Sequence, residues 1–194
     1  REAFYPGGFD FPLKEAEPWI FIVEVGRELA TLLMLGAVAW VAGAPGWSRF
    51  ACFAFLFGVW DIWYYIWLKL FLNWPESVLT WDVLFLIPVV WIGPVLAPVL
   101  ISLLLILGSL RAMQLLDRDA TIRIDSRDWT LATAGTLAVI YSFTEDILSV
   151  IIGGGLQAVF TFVPQSFGWP LFLLGFALMA FTAVRIEKNV SRIS

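Results

Sequence analysis

Six carboxylates stand in segments that are otherwise apolar: Glu24 and Glu28 in "VEVGRELATLLML", Asp61 in "FGVWDIWYYIWLKLF", Asp82 in "TWDVLF", and Glu145 with Asp146 in "YSFTEDILSV". Two cations accompany them, Arg27 between the glutamates and Lys69 two helical turns beyond Asp61, which leaves an acidic excess of four. Carboxyl groups crowded in an apolar setting have three outlets. They take up protons, they lie hydrated in a cavity open to one side, or they hold a cation, for which oxygen-only ligands suit calcium, magnesium or manganese. The chemistry expected is therefore reversible binding or conduction of protons or small cations. Glu24, Glu28 and Asp61 form its core, Glu145 and Asp146 a facing wall and Asp82 the rim, with Arg27, Lys69 and Tyr65 tuning the charge.

If a metal is held, Glu24, Glu28, Asp61 and Glu145 are its candidate ligands. A Glu-x-x-x-Glu pair puts two carboxylates on one helical face, but di-iron bundle sites add Glu-x-x-His motifs, and this chain has no histidine. The same lack disfavours haem, chlorophyll and zinc as cofactors and removes the commonest general base. An oxygen-ligated cation stays open. A nucleophilic hydrolase would need a Ser–Lys pair, and only Lys69 is near the acids. The chain is read as leaning away from an enzyme, with carboxylate acid/base work on a lipid-soluble substrate as an alternative.

The elements that carry these groups follow from composition. The chain has 194 residues, 60% hydrophobic and 14% charged, far from the half-apolar, quarter-charged average of soluble domains. That departure points to an all-α, polytopic transmembrane helix bundle forming a single domain, with the lipid bilayer as its first partner. A net charge of −4 without a basic tract excludes nucleic acid as a partner. Cys52 is the lone cysteine, so no intrachain disulfide forms. Arg1 rather than Met at the first position fits a processed chain or one shown without its true start.

A helix needs about 20 apolar residues to cross the hydrocarbon core. The expected spans are Pro18–Gly43, Ala51–Leu72, one within Leu79–Leu110, Thr130–Ile152 and Pro170–Ile186. Between them fall an N-terminal segment 1–17, loops 111–129 and 153–169, and a tail 187–194. The third region, "WDVLFLIPVVWIGPVLAPVLISLLLILG", contains Pro88, Pro94 and Pro98 and is too long for one straight span. It fits a kinked helix, an interfacial half-helix followed by a crossing helix, or two short crossings.

Charge selects among these. With five crossings, Arg49, Arg111, Arg118, Arg123, Arg127, Arg185, Lys188 and Arg192 share one side, and Arg1, Lys14 and Lys69 are left on or near the other. The positive-inside rule makes the first side cytoplasmic and the N-terminus extracytoplasmic, in a plasma (inner) membrane. Trp19, Trp74, Trp81 and Trp169 then fall at outer ends, and Trp47 and Trp129 at inner ends, as interfacial belts require. "RDATIRIDSRDW" alternates enough for a short strand or surface segment and reads as a solvated loop. The "GGG" of Gly153–Gly155 reads as a flexible helix exit.

Placed on these spans, Glu24 and Glu28 lie roughly 9–15 Å below the outer end of the first helix. Every acid of the set falls in the middle or outer half of the membrane. On the second span Ala54, Gly58, Asp61, Tyr65 and Lys69 recur at three- or four-residue steps, one small and polar face. The opposite face, with Phe55, Val59, Trp63 and Ile66, suits lipid. On the fourth, Ser142, Asp146 and Ser149 align, as do Ala138, Tyr141 and Glu145. The plainer reading is a structural lock, in which Arg27 neutralises a glutamate and Lys69 reaches Asp61 or Asp82. A further alternative is a non-catalytic subunit of a larger membrane assembly, packed on other membrane chains or on itself through aromatic surfaces such as Phe160, Phe162 and Phe167.

Overall fold

The computed structural model of the chain describes residues 11, 18–44, 46–118 and 122–191. Five long helices account for most of them. α1 covers Pro18–Ala42, α2 Trp47–Leu72, α3 Leu96–Leu116, α4 Ser126–Gly154 and α5 Trp169–Ser191. A two-stranded antiparallel hairpin, β1 (Trp81–Phe85) and β2 (Trp91–Pro94), precedes α3, and a 3-10 turn, Leu156–Thr161, follows α4. Four helices, α2 to α5, have the length and apolar composition to cross a bilayer. α1 has comparable length and carries Glu24, Arg27 and Glu28 in its first half. This is an all-α membrane-helix bundle whose third region is broken ahead of its crossing helix.

The hairpin replaces the kinked or interfacial helix expected there. "WDVLF" and "WIGP" are rich in aromatic and β-branched residues, and prolines flank or end both runs, which favours extended backbone over a helix. Pairing runs Trp81 with Pro94, Asp82 with Gly93, Val83 with Ile92 and Phe85 with Trp91, with a bulge between Val83 and Phe85. Two further bonds, Val95 N–H to the Thr80 carbonyl and Leu96 N–H to Val78, tie the strands to the start of α3. The hairpin packs on α3 and α4, with Val83 and Ile92 against Ile147 and Val159. Its open end lies beside the ends of α2 and α4 and the starts of α3 and α5, here termed the hairpin end, and its tip runs inward to Phe57 of α2, Glu28 of α1 and Phe143 of α4. The opposite end, where α3 stops and α4 begins, collects the arginines.

Helix packing is pairwise. α2 runs along α3, α4 along α5, α3 joins the pairs through α5, and α1 lies against α2. Small residues permit close approach, as expected where lipid removes the hydrophobic drive between helices. A Cβ at Gly58 would stand 2.7 Å from the Ser102 carbonyl oxygen. At the α4–α5 crossing Gly135 and Gly175 face each other, and a Cβ on either would sit within 2.8 Å of the other's carbonyl oxygen. Large apolar side chains such as Trp63, Trp67, Leu70 and Phe71 point outward, as they should where hydrocarbon is the solvent.

The buried side of α2 holds Ala51, Ala54, Gly58, Asp61, Tyr65 and Leu68, so the small and polar face read from spacing is the inward face down to Tyr65. Leu68 closes the row, and Lys69 is exposed. The fourth-span alignment holds less well: Ser142 is buried, whereas Tyr141 and Ser149 face outward. The inward faces of α2 and α4 do not meet each other but pack on α3 and α5. "RDATIRIDSRDW" forms no strand in its described part, which is irregular at 122–125 before α4 begins at Ser126. The Phe160 side chain, most of segment 1–17 and the tail 192–194 lie outside the described residues. Phe11 is the exception and packs against the hairpin's apolar cluster.

Candidate functional site

The inward face of α2 carries the most concentrated buried polar chemistry. Asp61 is 8% exposed and accepts a 2.8 Å hydrogen bond from the Ser102 hydroxyl of α3. The bond forms because Gly58, one turn before Asp61, lets the α3 backbone at Ser102 come close. Among the described residues no cation lies within ion-pair distance of Asp61. Its neighbour one turn on, Tyr65, donates to the Asp82 carboxylate of β1 at 3.0 Å. Asp82 is 1% exposed, and its other oxygen accepts the N–H of Val83 at 2.9 Å. Residues four apart on a helix have Cβ atoms about 5–6 Å apart. The Ser102–Asp61 and Tyr65–Asp82 hydrogen-bonded pairs therefore lie one helical turn apart, in line along the inward face of α2.

The other acids stand apart from this line. Glu28, 5% exposed, accepts the Leu86 N–H through both carboxylate oxygens at 3.0 and 3.2 Å. It thereby satisfies a backbone donor at the tip of the hairpin, where water is scarce and an unpaired N–H is costly. Glu24 pairs with Arg27 at 2.8 Å on the exposed side of α1. Glu145 packs against the backbone of Gly168, where a Cβ would fall 2.5 Å from its Oε1. Asp146 is half-buried on the same turn. Lys69 directs its ammonium to the carbonyls of Pro75 at 2.9 Å and Asn73 at 3.4 Å rather than to an acid. Among the described residues no three His, Cys, Asp or Glu side chains are grouped so that they could hold a metal ion.

A second buried acid lies at the arginine end, and sequence reasoning assigned it to a solvated loop. Asp128, fully buried, receives Arg185 Nε at 2.6 Å, while Arg185 also reaches Asp125 at 2.7 Å. Asp125 and Asp128 also form a reciprocal capping box at the start of α4. The backbone N–H of Asp128, followed by the Arg185 guanidinium, holds the Asp125 carboxyl below its ordinary value of 3.8. The signal was present as "DSRD", an acid three residues ahead of another just before an apolar run. Ser102 carried no such signal, being one hydroxyl in a long apolar stretch.

A bundle of this composition, with apolar helices long enough to cross and outward-facing large hydrophobics, defines an integral, multi-pass membrane protein. No family model matches the chain, and no curated protein or solved structure matches it significantly.

Proposed function

We propose that the chain binds and relays protons along the Asp82–Tyr65–Asp61–Ser102 line. The observation that carries this reading is Asp61: a buried carboxyl group whose hydrogen-bond partner is a hydroxyl and not a cation. A hydroxyl serves both states of a carboxyl group, donating to the carboxylate and, after rotation, accepting from the acid. A guanidinium can only donate and fixes its partner as an anion. Asp61 thus keeps its hydrogen bond to Ser102 in either protonation state. Tyr65 links it toward Asp82, and the half-exposed Glu145 and Asp146 supply a negative field at the hairpin end that raises the local proton concentration. Protons are favoured over a metal ion because the candidate ligands Glu24, Glu28, Asp61 and Glu145 each make separate contacts.

In this reading α1 is a fifth crossing. The arginine end, with Arg49, Arg111, Arg118, Arg127, Arg185 and Lys188, is cytoplasmic, and the hairpin end is extracytoplasmic. The test is proton flux in liposomes carrying a trapped pH-sensitive dye. The wild-type protein dissipates an imposed pH gradient faster than protein-free vesicles, and Asp61→Asn returns to the protein-free rate while staying monodisperse. A wild-type rate equal to that of protein-free vesicles overturns the proposal, and stable co-purification with another membrane chain would then favour the accessory-subunit reading.

A further inference from the structure

On α4, Trp129, Thr130, Thr133, Ala134 and Leu137 line a shallow, wide-open apolar depression of about 450 Å³, the groove referred to below. They form one stripe of the helix, and the small residues between Trp129 and Leu137 leave the depression. Trp47 of α2 stands beside its upper end, 6.2 Å from Trp129 between ring centroids. The Thr130 hydroxyl donates to the Ser126 carbonyl at 2.8 Å, which satisfies its donor within the helix. The groove runs from roughly 5 to 17 Å beyond the start of α4 at 1.5 Å per residue, from headgroup level into hydrocarbon. Arg127 lies at the edge of this stripe around the helix, three residues before Thr130 and seven before Ala134. It is exposed and makes no hydrogen bond or ion pair among the described residues, whereas its acidic neighbours Asp125 and Asp128 are both engaged by Arg185.

We propose that this groove seats one acyl chain of an anionic phospholipid, with the lipid phosphate on Arg127. A depression beside hydrocarbon forfeits dispersion contacts unless a chain fills it, and an exposed guanidinium at headgroup level selects a negative phosphate. The tryptophans fit the same depth, since indoles favour the membrane interface. A second helix fits less well: beyond the groove α4 presents the bulky Tyr141 and Ile152 outward, so no continuous small-residue track exists for it.

Native mass spectrometry of the detergent-purified chain, titrated with phosphatidylglycerol or with phosphatidylcholine of identical acyl chains, tests this. One phosphatidylglycerol is retained with roughly fivefold preference, the worth of one basic side chain at an anionic surface. Arg127→Gln removes the preference but keeps a lipid bound, and Ala134→Phe, which fills the groove from an exposed position, loses it. Equal retention of the two lipids by the wild type overturns the proposal, as does unchanged retention by Ala134→Phe. A wild-type homodimer that Ala134→Phe dissociates also overturns it, by assigning the groove to a second copy.

Discussion

The arginine end and the middle of the bundle each bury an aspartate, and they treat it in opposite ways. At the arginine end Asp128 is matched by the Arg185 guanidinium at 2.6 Å, with the backbone N–H of Asp125 donating to its other oxygen at 3.2 Å. In mid-bundle, toward the hairpin, Asp61 meets the Ser102 hydroxyl at 2.8 Å and no cation among the described residues. The first arrangement is closed: it fixes one charge state and ties the start of α4 to the end of α5. The second is open, because a hydroxyl accepts either form of the carboxyl group. Burial alone therefore does not separate a structural acid from a working one, whereas the chemistry of its partner does.

The comparison can be broken most severely at the packing that creates it. Gly58→Val places a side chain where the Ser102 carbonyl stands 2.7 Å from an added Cβ, and is expected to cost about 1–3 kcal/mol by overpacking. Thermal unfolding in detergent reads that loss, and the Asp61–Ser102 bond goes with it. Next comes Arg185→Met, which leaves Asp128 buried without its cation. The melting temperature should fall by several degrees, and adding Asp128→Asn should recover most of the loss, since the cost lies in the orphaned charge. If the double variant is less stable than the single, the closed arrangement has been misassigned.

Tyr65→Phe is expected to cost about 1.5 kcal/mol, the low end for a lost hydrogen bond to a carboxylate, because Asp82 keeps the Val83 N–H. Its sharper readout is flux, which should drop because Asp82 no longer connects to Asp61; a Tyr65→Phe variant with wild-type flux would cut the line at Asp61. The smallest effect is set by pH at the arginine end. Asp125 titrates below its ordinary value of 3.8 in the folded chain. Its contribution is therefore fully present above pH 3.8 and is lost as the pH falls from there through the lowered folded value. Hydrogen exchange should show the first turn of α4 opening on acidification over that window while the α2–α3 contact stays protected.

Long apolar windows make the crossing helices legible in the sequence, and three- and four-residue spacing marks the Ala54–Gly58–Asp61–Tyr65 face. The hairpin was hidden because "WDVLF" and "WIGP" are short apolar runs inside a longer one, where periodicity cannot separate strand from helix. Convergence of the acids was the weakest inference. Sequence depth places Glu28 and Asp61 at similar levels, but only pairing shows that Glu28 serves Leu86 while Asp61 serves Ser102. Lys69 misled for a related reason: its long stem let it turn to the Pro75 carbonyl beyond the helix end. Partners such as Ser102 and Arg185 come from distant segments, 41 and 57 residues from the acids they meet, and no local pattern announces them.

The central claim is that the Asp61 carboxyl exchanges a proton inside the folded bundle, and infrared difference spectroscopy of the reconstituted protein across a pH titration tests it most directly. A carboxylic C=O band should titrate reversibly, shift in Ser102→Ala and disappear in Asp61→Asn. A spectrum with no such band over the pH range in which the bundle stays folded would contradict it.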